Sequence, residues 1–147
     1  IGREGLTLRD KWQQEGTKTF LGLHSEGFPN LFIVSGPQGG GGSFNFTNAI
    51  EEHGDYVVWM LSTMRDKGAD VVDVKSEREE EYAAHCRQAD QLTRPLRDCI
   101  TYYNGHGEAE PGSLAYYGGG NWHKFRSRAQ QTLDPYEFES RSHIVDR

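Results

Sequence analysis

The sequence predicts an α/β fold, and three features carry that expectation. A run of β-favouring side chains, Leu31-Phe32-Ile33-Val34, leads into the glycine-rich stretch Gly36-Pro37-Gln38-Gly39-Gly40-Gly41-Gly42. A long amphipathic segment follows, then a short alternation over 70–74 and a second, highly charged helical segment. Strand, turn, helix, strand, helix is the alternation expected of α/β chains.

Taken in order, Leu6 and Leu8 alternate with polar residues, and Thr17 to Leu23 reads as extended, with Phe20, Leu21 and Leu23 as its apolar positions. Gly27-Phe28-Pro29-Asn30 is turn chemistry, since Pro fixes φ and Asn tolerates a tight turn. Leu31 to Val34 is apolar without alternation, the pattern of a short, fully buried strand. The main helix should be capped by Asn45 or Thr47 and run to about Lys67, with Gly68 as its stop. Ile50, Val57, Leu61 and Met64 fall on one face, which Val58 widens. Tyr56, Trp59 and Met60 make its middle apolar nearly all round, so deep packing is expected. Ser76 to Glu79 has the form of a capping box. It opens a helix to about Ala89, whose Glu77, Glu79, Glu80 and Glu81 suit the positive helix end and otherwise form a solvated face. After Pro95 the chain turns irregular and aromatic, with a short helix over Trp122 to Gln131 and a loose tail from Ser140 to Arg147.

The 147 residues suit one ordinary domain. The 16 Lys and Arg against 22 Asp and Glu leave a net charge of −6, which argues against nucleic acid or an anionic membrane as the main partner. No apolar run approaches the roughly 20 residues that span a bilayer. Two cysteines, Cys86 and Cys99, make a poor disulfide framework and suit a reducing cytosol, so a cytoplasmic location is expected. His24, His53, His85, His106, His123 and His143 have no metal-ligand spacing, and no metal is expected.

The glycine-rich turn before a helix is the strongest chemical signal. It sets unpaired amides and a positive helix end beside a segment without obstructing Cβ atoms. A phosphate-binding loop needs Lys where Gly42 stands, and the spacing does not fit a dinucleotide fingerprint. A carbonyl or ring edge held over the helix end remains open, as does a plain flexible loop.

Four blocks carry a resemblance. They are Leu6-Thr7-Leu8-Arg9-Asp10-Lys11-Trp12, Thr19-Phe20-Leu21-Gly22-Leu23, Gly27-Phe28-Pro29-Asn30-Leu31-Phe32 and Gly36-Pro37. In this order they resemble the C-terminal stretch of the Baeyer–Villiger monooxygenases. The resemblance continues through Ala49-Ile50-Glu51-Glu52-His53, and more weakly through Tyr102-Tyr103-Asn104-Gly105, Pro111-Gly112 and Tyr117-Gly118-Gly119.

The resemblance implies the C-terminal fragment of a flavoprotein with two dinucleotide-binding domains. Its cofactors would be FAD and NADPH, its substrates a small-molecule ketone and O2. Family chemistry proceeds through a C4a-peroxyflavin and ends in an ester or lactone. Residues 1–70 would be the returning part of the FAD domain, with a flavin and substrate loop over 36–47, and 71–147 the C-terminal helix, cofactor-loop and tail region. Gly36, Pro37, Asn45, Phe46, Thr47 and Tyr102 are the implied cofactor contacts. Gly41, Gly42, Ser43, Phe44 and again Phe46 are the implied substrate contacts. Glycines replace bulkier loop residues, which implies a roomier pocket. Tyr102 stands where the family commonly has Trp, and Ser113 where it often has Lys. Both dinucleotide fingerprints, the family's own motif and its peroxyflavin-stabilising arginine would lie before Ile1. The chain is therefore expected to be inactive alone and to need the N-terminal part of the same enzyme as partner. The rival expectation is a stand-alone, non-catalytic module binding a hydrophobic ligand or partner.

Overall fold

The structure is a computed structural model that describes residues 1–39, 45–89 and 121–140. Four α-helices, a short 3-10 helix (Arg3–Gly5) and two strands are present among these residues: α1 (Leu8–Glu15), α2 (Phe46–Lys67), β1 (Val71–Val74), α3 (Ser76–Ala89), α4 (Asn121–Thr132) and β2 (Tyr136–Glu139). The expectations for 90–120 and for the tail beyond Ser140 lie outside the described residues.

The alternation at Leu6 and Leu8 does not form a strand. Leu8 belongs to a helix, because Thr7 Oγ1 accepts from the Asp10 amide at 3.1 Å and caps it. Lys11, rather than a leucine, is the residue α1 buries. Thr17 to Leu23 is not an extended run either. Phe20 and His24 exchange backbone hydrogen bonds at 2.9 and 3.1 Å across a tight reversal, with Leu21 at φ +60 and Gly22 at φ +70.

The strand expected over Leu31 to Val34 is not formed. A strand needs a neighbour to complete its ladder, and among the described residues none pairs with it. Val34 is 49% exposed and the other three are half-buried. The turn before it is present: the Leu31 amide donates to Phe28 O at 3.2 Å, and Asn30 takes φ +59. Asn30 also bridges to β1, its Oδ1 accepting from Val72 N–H at 2.9 Å.

α2 begins and ends where the sequence places it. Asn45 Oδ1 accepts from Thr47 N–H at 2.9 Å, and Gly68 closes the helix in the left-handed conformation at φ +64. Its buried face differs from the expected one and consists of Ala49, His53, Tyr56, Met60 and Met64. Ile50, Val58 and Leu61 are 40%, 65% and 53% exposed, and Phe46 is 60% exposed. The aromatic and sulfur-bearing residues win the core because they mesh with the rings of Phe20, Tyr82, Trp122 and Tyr136.

β1 forms as expected, and its partner is β2, a strand the sequence did not single out. They pair antiparallel with Val71 opposite Glu139 and Val74 opposite Tyr136. α3 is where the charge pattern places it, but Glu79 does not reach back to Ser76. It is 1% exposed and points inward, accepting from Glu26 N–H at 3.0 Å and from Lys11 Nζ at 2.8 Å. The other acidic residues of that turn are solvated, as expected. α4 carries Trp122 into the core, where its indole N–H donates to Leu21 O at 2.9 Å. At the periphery Arg3 spans Asp73 at 3.1 Å and Glu139 at 2.6 Å, fastening the N-terminal segment to the strand pair. No described helix is long and apolar enough to cross a membrane.

Candidate functional site

The turn over 35–39 and the N-terminus of α2 are the two elements the sequence marks for ligand chemistry. The turn is packed against its neighbours through backbone. A Cβ on Gly22 would stand 2.2 Å from the Gly39 Cα, and one on Gly36 would stand 2.5 Å from Gly22 O. The glycines at 22, 36 and 39 are therefore required for chain-on-chain approach, a different reason from the ligand approach the sequence suggested.

Polar contacts fasten the same turn. Thr19 Oγ1 donates to Pro37 O at 2.7 Å, while Gln38 Oε1 accepts from Thr19 N–H at 2.9 Å. Tyr82 donates to Gln38 O at 2.7 Å. The Ser35 amide donates to His53 Nδ1 at 3.0 Å. The turn thus has a fixed shape, and Gly36 and Pro37 sit half-buried on it.

The N-terminus of α2 is open to solvent, with Asn45, Phe46, Thr47 and Asn48 all exposed. The first-turn amides of a helix have no intrahelical acceptors, and Asn45 occupies the one at Thr47. No acidic residue stands in the first turn to offset the helix dipole. This end therefore favours an anion or a polarised carbonyl. Phe46, 60% exposed beside it, offers an aromatic face. An unneutralised helix end with an adjacent exposed ring fits the electron-rich edge of a flavin better than it fits a cation.

The structure thus brings Gly36 and Pro37 onto one ordered turn, and Asn45, Phe46 and Thr47 onto one helix end. Gly41, Gly42, Ser43, Phe44 and Tyr102 lie outside the described residues. Sequence reasoning missed His53 and Ser35. The signal for His53 was its place at the i+4 position after Ala49 and three before Tyr56, the spacing of one helix face. Burial lowers the His53 pKa, and the Gly39 backbone opposes that shift. Among the described residues no group of three metal-ligating side chains converges.

No family model matches the chain. A Baeyer–Villiger monooxygenase of Streptomyces coelicolor is 32% identical over 137 residues, covering 90% of this chain and 23% of that protein. The Baeyer–Villiger monooxygenase peniC of Penicillium patulum is 30% identical over 123 residues, 80% of this chain and 20% of that protein. Among solved structures, polycyclic ketone monooxygenase from Thermothelomyces thermophila superposes with a TM-score of 0.78 at 27% identity, over 96% of this chain and 24% of that one. An oxidized steroid monooxygenase bound to NADP gives 0.77 at 25% identity, over 95% and 26%. Fold and sequence together define an α/β segment of a flavoprotein monooxygenase. The chain belongs, along most of its length, to the Baeyer–Villiger monooxygenase family. It spans about a fifth to a quarter of the length of the relatives it matches.

Proposed function

We propose that this chain is the flavin- and ketone-facing part of an FAD- and NADPH-dependent Baeyer–Villiger monooxygenase, inactive alone and completed by an N-terminal part of the same enzyme. Similarity over 80–90% of the chain to relatives of which it spans 20–23% carries the reading. Bound FAD, reduced by NADPH, supplies the activated oxygen from O2 that is inserted beside the ketone carbonyl to give an ester or lactone. The residues here bind and orient. Thr47, capped by Asn45, fixes the first turn of α2 so that its free amides face the flavin, and Gly36 and Pro37 present a preset backbone beside it. Phe46 borders both flavin and ketone, Tyr102 covers the nicotinamide cofactor, and Gly41, Gly42, Ser43 and Phe44 shape the ketone pocket.

The apolar stripe of Phe46, Ile50, Val58 and Leu61 supports this reading, because a side of α2 exposed to this degree suits burial against further protein. Cys86, a buried thiol, suits a cytoplasmic setting. The test is to express the longest reading frame containing this chain and measure its flavin spectrum and ketone-dependent NADPH oxidation. A bound flavin and an oxygenated product supports the proposal. A flavin-free product that consumes no NADPH with any ketone overturns it and leaves the non-catalytic module.

A further inference from the structure

The turn over 35–39 contains two non-glycine residues in the left-handed region, Ser35 at φ +56 and Gln38 at φ +64. L side chains disfavour that conformation, so the surroundings must hold it. Gln38 is held through Thr19 and Tyr82. Ser35 is held by His53, whose Nδ1 accepts its amide at 3.0 Å.

That hydrogen bond requires a lone pair on Nδ1, so the neutral ring carries its proton on Nε2. His53 is 1% exposed, and among the described residues neither its Nε2 nor the Ser35 hydroxyl makes a hydrogen bond of ordinary geometry, although the Gly39 backbone acts on the ring as an acceptor would and raises its pKa. A buried donor without an acceptor is costly, and an apolar side chain of similar volume would fill the space without stranding one. The hydrogen bond of ordinary geometry that the ring makes among the described residues is the one its Nδ1 accepts. The ring is also fixed in place. Its centroid lies 5.3 Å from that of Trp122, and a Cβ on Gly39 would meet its Cε1 at 3.1 Å. One side chain of α2 thus sets both ends of the turn.

We infer that His53 is a positioning residue, whose Nδ1 holds Ser35 left-handed and so presents Gly36 and Pro37 in the conformation that receives FAD. The inference rests on the proposed function. His53 itself touches neither substrate nor reacting atoms.

The test uses the full-length enzyme with His53→Asn, His53→Gln and His53→Leu. Asparagine places an oxygen where Nδ1 stands, glutamine places its amide one bond further out, and leucine has no acceptor. Three quantities are measured: the Kd for added FAD, hydrogen exchange at the Ser35 amide, and the melting temperature. The asparagine variant should keep FAD Kd within about threefold of wild type and retain Ser35 protection, as expected where the acceptor survives. The leucine and glutamine variants should raise Kd about tenfold, the scale of one lost net hydrogen bond, and expose the Ser35 amide to exchange. Unchanged FAD binding and exchange in the leucine variant would overturn the inference. So would an asparagine variant that melts like wild type yet binds FAD as poorly as leucine. If the leucine variant does not fold, the contrast between asparagine and glutamine decides. A wild-type enzyme that takes up no FAD removes the proposed function and this role together, whereas wild-type uptake with indifferent variants removes this role only.

Discussion

The ammonium of Lys11 lies 2.8 Å from the Glu79 carboxylate, and both side chains are 1% exposed. The same ammonium donates to Glu26 O at 2.7 Å and lies 3.2 Å from Ser25 Oγ. Glu79 uses its second oxygen to accept from Glu26 N–H at 3.0 Å. Burial pushes the Glu79 carboxyl above the ordinary carboxylate range, and the Lys11 contact opposes that shift. The pair joins α1 to α3 through the loop at Ser25 and Glu26, so a charge removed from one side strands the other in the interior.

Lys11→Met alone should therefore destabilise the chain by about 3–5 kcal/mol, the cost of an uncompensated buried charge. Replacing both residues, Lys11→Met with Glu79→Leu, should recover most of that loss. Urea unfolding of the single and double variants measures the difference, and equal losses in both would contradict the pairing.

His24 gives the fold a pH dependence. Its Nε2 is 3.2 Å from Tyr56 Oη, which is in turn bonded to Tyr136 Oη, and burial pushes the ring pKa down to about 3. Below the ordinary value of 6.5 the unfolded ring takes up a proton that the folded ring refuses. The stabilising contribution is therefore complete above that value and is lost as pH falls towards about 3, with a slope of up to about 1.4 kcal/mol per pH unit. Urea midpoints compared at pH 6.5 and at about pH 5 should show this slope, and His24→Phe should reduce it, leaving the share of His53, whose pKa burial also lowers.

Two glycines should respond in opposite directions. Gly22→Ala must move backbone, since its new Cβ would meet Gly39 at 2.2 Å and the residue sits at φ +70. A loss of about 2–3 kcal/mol or more is expected. Gly54 lies within α2 with nothing within 4 Å of an added Cβ. Gly54→Ala should raise stability by about 0.5–1 kcal/mol, because alanine restricts the unfolded chain and favours the helix. Thermal melts of the two variants separate these outcomes.

In the full-length enzyme, Gly42→Val should shift preference towards smaller ketones by narrowing the pocket attributed to this loop. Relative kcat/KM across a series of ring sizes is the measurement. A loss of about tenfold for the largest ketone with little change for the smallest is expected where a few methyl-sized contacts are at stake. A flat profile would remove Gly42 from the pocket.

Local chemistry made some elements legible and left others hidden. α2 announced both its ends, because Asn45 and Gly68 are specified by hydrogen bonding and backbone conformation over a few residues. Its buried face was misassigned, because aliphatic spacing cannot say that Tyr56 and His53 have partners in the core while Ile50 and Leu61 do not. β2 was invisible for a similar reason. Tyr136 and Phe138 read as two more aromatics until Val74 and Val72 stand opposite them. Leu31 to Val34 erred the other way, since an apolar run records a preference for a sheet and cannot supply the neighbouring strand. At the N-terminus of α2, the cap at Asn45 was legible from local chemistry, whereas ligand roles for Asn45, Phe46 and Thr47 rest on family resemblance. His53 and Ser35 were not, as their link depends on a left-handed turn 18 residues before the helix position it touches.

Arg3 is fastened to Glu139, 136 positions further along the chain, and Trp122 to Leu21 across 101. During synthesis the ribosome delivers the first segment long before its partners exist. The emerging polypeptide can cover Phe20, Leu21 and Leu23 only in part, with α2 and α3, until α4 and β2 have cleared the exit tunnel and supplied Trp122 and Tyr136. At translation speeds of about 5–20 residues per second that interval lasts several seconds, and it is the period in which chaperone binding has most to protect.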